Sequence, residues 1–165
     1  MTITIRDAVP ADIDLIHGFI LALADYERLS HEVRSDKALL ARHLFGPRPM
    51  AEVLIAELDG TGVGFALFFH NFSTFKARPG IYLEDLFVAP EARGRGAGKA
   101  LLARLAQIAI ERDCARLEWW VLDWNQPAID FYQSLGARPM DDWTVNRVDG
   151  PALAALAGQA GDHGG

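Results

Sequence analysis

The sequence predicts an α/β fold with a mixed, mostly antiparallel central sheet flanked by helices. Two observations lead there. Residues 51–58 and 63–72 are apolar strand-like runs joined by Asp59-Gly60, a two-residue turn signature that specifies an antiparallel hairpin. After residue 80 the pattern changes to strand, helix, strand, helix, which adds β-α-β units to that antiparallel start. At 165 residues, half of them hydrophobic, the chain is long enough for one domain that buries about 70% of its unfolded surface.

Each element has a local reason. Residues 2–7 alternate and predict a strand. Residues 11–29 carry Ile13, Ile16, Ile20, Leu23 and Ala24 at helical spacing. Ser35 is placed to cap a second helix that reaches about Phe45. The hairpin follows, then a loop over residues 71–80 and a buried strand at 81–88. A glycine-rich turn opens a helix from about Ala97 to Arg112, and residues 116–122 form the next strand. Pro127 suits the first turn of a helix that Gly136 stops near Leu135. Residues 143–148 predict a last strand, and Asp149 caps a short helix at 151–156. The domain is expected to span 1–157, with a Gly-rich disordered tail at 158–165.

Composition narrows the function. The net charge of −6 argues against a nucleic-acid partner and favours cationic ligands. No apolar run reaches the ~18–20 residues of a membrane span, and the N-terminus lacks a signal-peptide pattern. The single cysteine, Cys114, reads as a small core residue and fits a cytoplasmic chain. The five histidines show no metal-ligand spacing, so no metal is expected.

The most informative segment is YLEDLFV (82–88) followed by RGRGAG (93–98). A glycine turn at a helix N-terminus points unpaired N–H groups and the positive dipole end at one spot, which suits phosphate. Arg93, Arg95 and Lys99 add charge there. The dinucleotide fingerprint fails because Lys99 stands where its third glycine belongs. The nucleoside-triphosphate loop fails because Ala100 replaces its hydroxyl residue and Arg93 its first glycine. What remains is R-x-x-G-x-G. Taken alone, it fits a solvated turn as well as a phosphate loop.

Three segments together give a resemblance. YLEDLFV, RGRGAG and VLDWNQPAIDFYQSLGA (121–137) resemble the GNAT superfamily of acetyl-CoA-dependent N-acyltransferases, and its spermidine/spermine N1-acetyltransferase-like branch in particular. The resemblance runs from Ile3 to about Leu156 and includes ADYE at 24–27. It implies the GNAT fold and acetyl-CoA as cosubstrate. It implies that Gly94, Gly96, Ala97 and Gly98, with Arg93, Arg95 and Lys99, hold the pyrophosphate. Main-chain groups of Leu86, Phe87 and Val88 would pair with the pantetheine arm, and Asn125 would hold it by hydrogen bonds or simply cap its helix.

It further implies Glu84 as the base, acting through water, and Tyr132 as the acid that protonates the thiolate. Tyr132 also fits a core aromatic. Alternation along a strand puts Glu84 and Asp85 on opposite faces, so Asp85 is read as an ion-pair or hydrogen-bond partner. Tyr26, Glu27 and Trp143 match substrate-side positions, although Tyr26 and Glu27 also fit a solvated helix end. The other tryptophans read as core or interface residues. RLSHE (28–32) departs from the polyamine pattern: Glu32 is its one acid and Arg28 is cationic, so a diamine or lysine-like amino acid fits as well as spermidine. The expected activity is acetylation of a small cationic amine by a cytoplasmic homodimer. The alternatives are a protein or peptide N-acetyltransferase and a silent acetyl-CoA-binding module.

Overall fold

The computed structural model describes residues 2–161. The chain divides into two compact units after Leu122. The first contains a five-stranded sheet in the order β1-β2-β3-β4-β5. Its strands are β1 Ile3–Asp7, β2 Glu52–Leu58, β3 Thr61–Ser73, β4 Arg78–Val88 and β5 Leu117–Trp119. The first four are antiparallel neighbours, and β5 joins β4 in parallel. The helices of this unit are α1 Ile13–Tyr26, α2 Lys37–Phe45 and α3 Ala97–Glu111. The mixed, mostly antiparallel sheet is the one the sequence predicts.

Side-chain alternation gives the sheet two apolar faces. Ile16 and Phe19 of α1 and Leu44 of α2 form one core with Val53, Ile55, Phe65 and Phe87. The intervening strand residues Leu54 and Ala66 are buried on the other face. There α3 contributes Leu101, Leu102 and Leu105, all buried. The β2–β3 turn has positive φ at both Asp59 (50°) and Gly60 (84°), and Leu58 faces Thr61 across it. That backbone matches the twist of the flanking strands.

Several sequence expectations need correction. Residues 71–80 are not an open loop. Asn71 pairs with Gly80 and Ser73 with Arg78, so only residues 74–77 form the connection. Pro79 is tolerated because its missing N–H breaks no pair that the strand needs. Asp36, not Ser35, caps α2: its Oδ1 accepts the Leu39 N–H at 2.7 Å. β5 stops at Trp119, three residues short of the expected end.

The second unit holds α4 Gln126–Ser134 and α5 Gly150–Ala157. Gly136 closes the turn after α4 with φ 94°, in the left-handed region where a Cβ is strained. Asp149 stands at the N-cap of α5 without a side-chain cap bond. The expected strand at 143–148 is absent. Alternating apolar residues show how such a segment could pair, but a strand exists only where a partner supplies hydrogen bonds, and the sheet has no sixth strand among the described residues. Of the tail expected at 158–165, residues 158–159 continue as a turn after α5, and 162–165 lie outside the described residues.

Candidate active site

The glycine turn has the geometry an anion needs. Gly94 (φ 80°) and Gly96 (φ 89°) are both left-handed, and Gly96 is the N-cap of α3. The first helical bond of α3 runs from the Ala100 N–H to the Gly96 carbonyl at 2.9 Å. The N–H groups of Ala97, Gly98 and Lys99 precede it and have no partner within the helix. Gly96 supplies no side-chain cap. Space around Gly94 and Gly96 is open: a Cβ at either would meet nothing within 4 Å. Gly98 lies against β4, where a Cβ would sit 3.8 Å from Val88 Cγ2. Arg95 and Lys99 are exposed at the rim.

The edge of β4 opens toward this turn. On one side β4 pairs with β3 as far as Val88, opposite Gly64. On the other side the β5 ladder ends at Leu83, opposite Trp119. Past that point Leu86, Phe87 and Val88 have no β5 residue beside them. An extended ligand with amide groups can add there as a further strand does. These residues therefore fit the pantetheine arm of a coenzyme A thioester, with its pyrophosphate at the start of α3.

The carboxylates are arranged differently from the strand alternation. Phe68 faces Leu83 and Leu67 faces Asp85, which leaves Glu84 as an extra residue in β4. Leu67 and Phe68 are adjacent and point to opposite faces, so their partners Leu83 and Asp85 do too, although they are two apart. In such a bulge Glu84 and Asp85 together oppose Leu67. Both lie on the face of the Phe19 core, against which Leu67 packs. The expectation that they serve opposite faces is thus overturned.

Asp85 is not the ion-pair partner expected from the sequence. Among the described residues no cation or hydrogen-bond donor meets its carboxylate. Burial, then repulsion from Glu84 and from Glu27, raises its pKa from 3.8 to about 7. Glu27 follows the last turn of α1 and is half-buried, and this desolvation pushes its carboxyl upward as well. Two carboxylates, Glu84 and Glu27, thus both act on Asp85 in the first unit. Sequence adjacency of Glu84 and Asp85 was the available signal, but the bulge that turns both to one face has no signature in the strand's residues.

Tyr26 and Arg93 meet. The Arg93 guanidinium carbon lies 5.1 Å from the Tyr26 ring centre and 6.0 Å from that of Phe87. Its Nε donates to the Val88 carbonyl at 3.1 Å. Glu32 ends a short 3-10 turn, where its Oε1 is 3.4 Å from His31 Nε2.

The remaining predicted site residues belong to the second unit. Asn125 is buried and caps α4, its Oδ1 accepting the Ala128 N–H at 3.4 Å. Tyr132 is half-buried on α4 with its ring centre 5.6 Å from that of Phe131. Trp143 is 77% exposed. Trp120 and Trp124 are exposed and Trp119 is half-buried, so none of the four tryptophans is a core residue. Cys114 is half-buried behind α3, its Sγ 3.9 Å from His70 Nδ1, and burial raises its thiol pKa. Among the described residues no cluster of three or more His, Cys, Asp or Glu could hold a metal ion, and no helix is long and apolar enough to cross a membrane.

Comparison with known proteins gives the family. Residues 19–137 match the acetyltransferase (GNAT) family. A thialysine N-epsilon-acetyltransferase from Bos taurus is 38% identical, over 95% of this chain and 98% of its own length. An L-ornithine N5-acetyltransferase from Arabidopsis thaliana is 32% identical, over 92% of this chain and 86% of its own. Among solved structures, an integron cassette protein of V. cholerae superposes with a TM-score of 0.79 at 30% identity, covering 95% of this chain and 98% of that one. The chain belongs to the acetyltransferase (GNAT) family and, with it, to the acetyl-CoA-dependent N-acetyltransferases.

Proposed function

We propose that the protein acetylates the terminal primary amine of a small dication, a lysine-like amino acid or a diamine, with acetyl-CoA as donor. The observation that carries this reading is the bulge at Glu84. It sets Glu84 and Asp85 on one face, with Glu27 acting on Asp85, beside the open edge of β4. A half-buried carboxylate without a protein cation is stabilised by a cation supplied from outside. The relatives named for thialysine and ornithine carry that class of substrate in their names. Arg28, next to Glu27, opposes a long polycation, so spermidine ranks below shorter amines.

Each residue then has a definite task. Main-chain groups of Leu86, Phe87 and Val88 hold the pantetheine arm, and Asn125 assists. The start of α3, from Gly94 to Lys99, holds the pyrophosphate, with Arg93 and Arg95 beside it. Glu27 takes the second cationic centre, and Tyr26 and Trp143 cover the aliphatic part. The reacting amine arrives as an ammonium of pKa ~10.4, and baring its lone pair at pH 7 costs about 4.6 kcal/mol. Glu84 removes that proton through water. The amine nitrogen attacks the thioester carbonyl, the C–N bond forms and the C–S bond breaks. The nitrogen sheds its extra proton to solvent as the amide forms, and Tyr132 gives its own proton to the departing sulfur and regains one from solvent. The enzyme works as a cytoplasmic homodimer in this reading.

A panel of lysine, thialysine, ornithine, putrescine, spermidine, an uncharged primary amine and a peptide, each with acetyl-CoA, tests it by free thiol release. The dications should give the highest kcat/KM. A preference for the uncharged amine or the peptide would overturn the substrate assignment.

A further inference from the structure

Tyr26 is the last residue of α1. It is 42% exposed, and after it the chain leaves the helix through Glu27 and through Arg28 at φ 62°. Phe19 and Tyr26 are seven apart on α1 and share a face. Phe19 packs on Phe87 of β4 with ring centres 5.7 Å apart. The Arg93 guanidinium continues that row over Phe87 and Tyr26, anchored by its bond to the Val88 carbonyl. Arg93 is also the first residue of the glycine turn. One side chain therefore links the turn that receives the donor to the helix end that carries Tyr26 and Glu27.

We propose that Arg93 is a positioning residue for the amine site: it fixes Tyr26, and through it the end of α1 at Glu27, against the acetyl-CoA turn. This rests on the function proposed above. A purely phosphate-binding arginine needs no aromatic partner, whereas this one lies over two rings and bonds the end of β4. A guanidinium over a tyrosine ring contributes about 0.5–1 kcal/mol at exposed sites, which is roughly a two- to fivefold effect on an equilibrium. The link should therefore appear as a modest, shared effect on the amine rather than as loss of activity.

Steady-state kinetics of Arg93→Met, Tyr26→Leu and the double variant test this, with ornithine or putrescine as amine. Each single variant should raise the amine KM by about two- to fivefold. The double variant should be no worse than the poorer single one, because both remove the same contact. Tyr26→Phe keeps the ring, so its amine KM should lie closer to the wild type than that of Tyr26→Leu, and the Tyr26→Leu effect should fall on the amine KM rather than on the acetyl-CoA KM. Multiplying effects in the double variant, or an Arg93→Met effect confined to the acetyl-CoA KM, would overturn the positioning role and return Arg93 to phosphate binding. A wild type that acetylates no amine would overturn both the function and this inference. An active wild type with independent variants would overturn the inference alone.

Discussion

Replacing Asp85 with asparagine should make the protein more stable at neutral and alkaline pH. The side chain keeps its shape and loses its charge. The carboxyl of Asp85 is raised from 3.8 to about 7, first by burial and then by Glu84 and Glu27. The folded state therefore holds this proton up to about pH 7, while the unfolded chain releases it near pH 4. Between those values the folded state binds more protons, so raising the pH lowers stability. Below pH 4 the residue costs nothing. The cost grows through the window and levels above pH 7 at about 4 kcal/mol, at about 1.36 kcal/mol per pH unit. At pH 5 it is about 2 kcal/mol and at pH 8 about 4 kcal/mol. Carboxylates such as Asp12 and Glu52, lowered by Arg6 and Arg112, change stability in the opposite direction, so the wild type alone is a poor readout. The difference between variant and wild type isolates Asp85. Urea denaturation at pH 5 and pH 8 should show the advantage of Asp85→Asn growing by about 2–3 kcal/mol, unless a dication is present to occupy the site. A difference that stays flat across that range would mean that Asp85 ionises normally and that the bulge does not bury its charge.

Four further outcomes are expected. Gly96→Glu places a side chain at φ 89° and a negative charge at the start of α3, so calorimetry should show acetyl-CoA binding lost in a folded protein; unchanged affinity would refute the pyrophosphate assignment. Tyr132→Phe keeps the ring, so kcat should fall ~10–10³-fold with acetyl-CoA affinity little altered, and wild-type turnover would reduce Tyr132 to packing. Glu84→Gln should lower kcat/KM near pH 7 and recover rate as the pH approaches the amine's own pKa; an untouched pH profile would place the base elsewhere. Glu27→Gln should raise KM for a diamine more than for an uncharged amine of equal length, since a desolvated carboxylate–ammonium contact is worth more than an exposed one, and an equal effect on both would move the second cationic site off Glu27.

The local sequence determined those parts of the protein whose cause is local. Asp59-Gly60 makes a hairpin turn because both positions need positive φ, which few residues tolerate. Residues 97–111 are helical because their apolar spacing follows a helix and Gly96, in the left-handed region, starts it. Motifs of this kind were enough to indicate the family. Tertiary structure decided what depends on pairing. Residues 71–80 read as a loop because of Pro79 and Gly80, yet β3 and β4 continue through them once aligned. Residues 143–148 read as a strand and form none, because a strand exists only where a partner supplies its hydrogen bonds. The candidate site shows the same division most clearly. Glu84 and Asp85 are visible as adjacent carboxylates, and regular alternation sends them to opposite faces. One extra residue against Leu67 turns both to the face of α1, where Glu27 raises the cost of the Asp85 charge. A bulge is a property of two strands in register, so neither strand's sequence contains it.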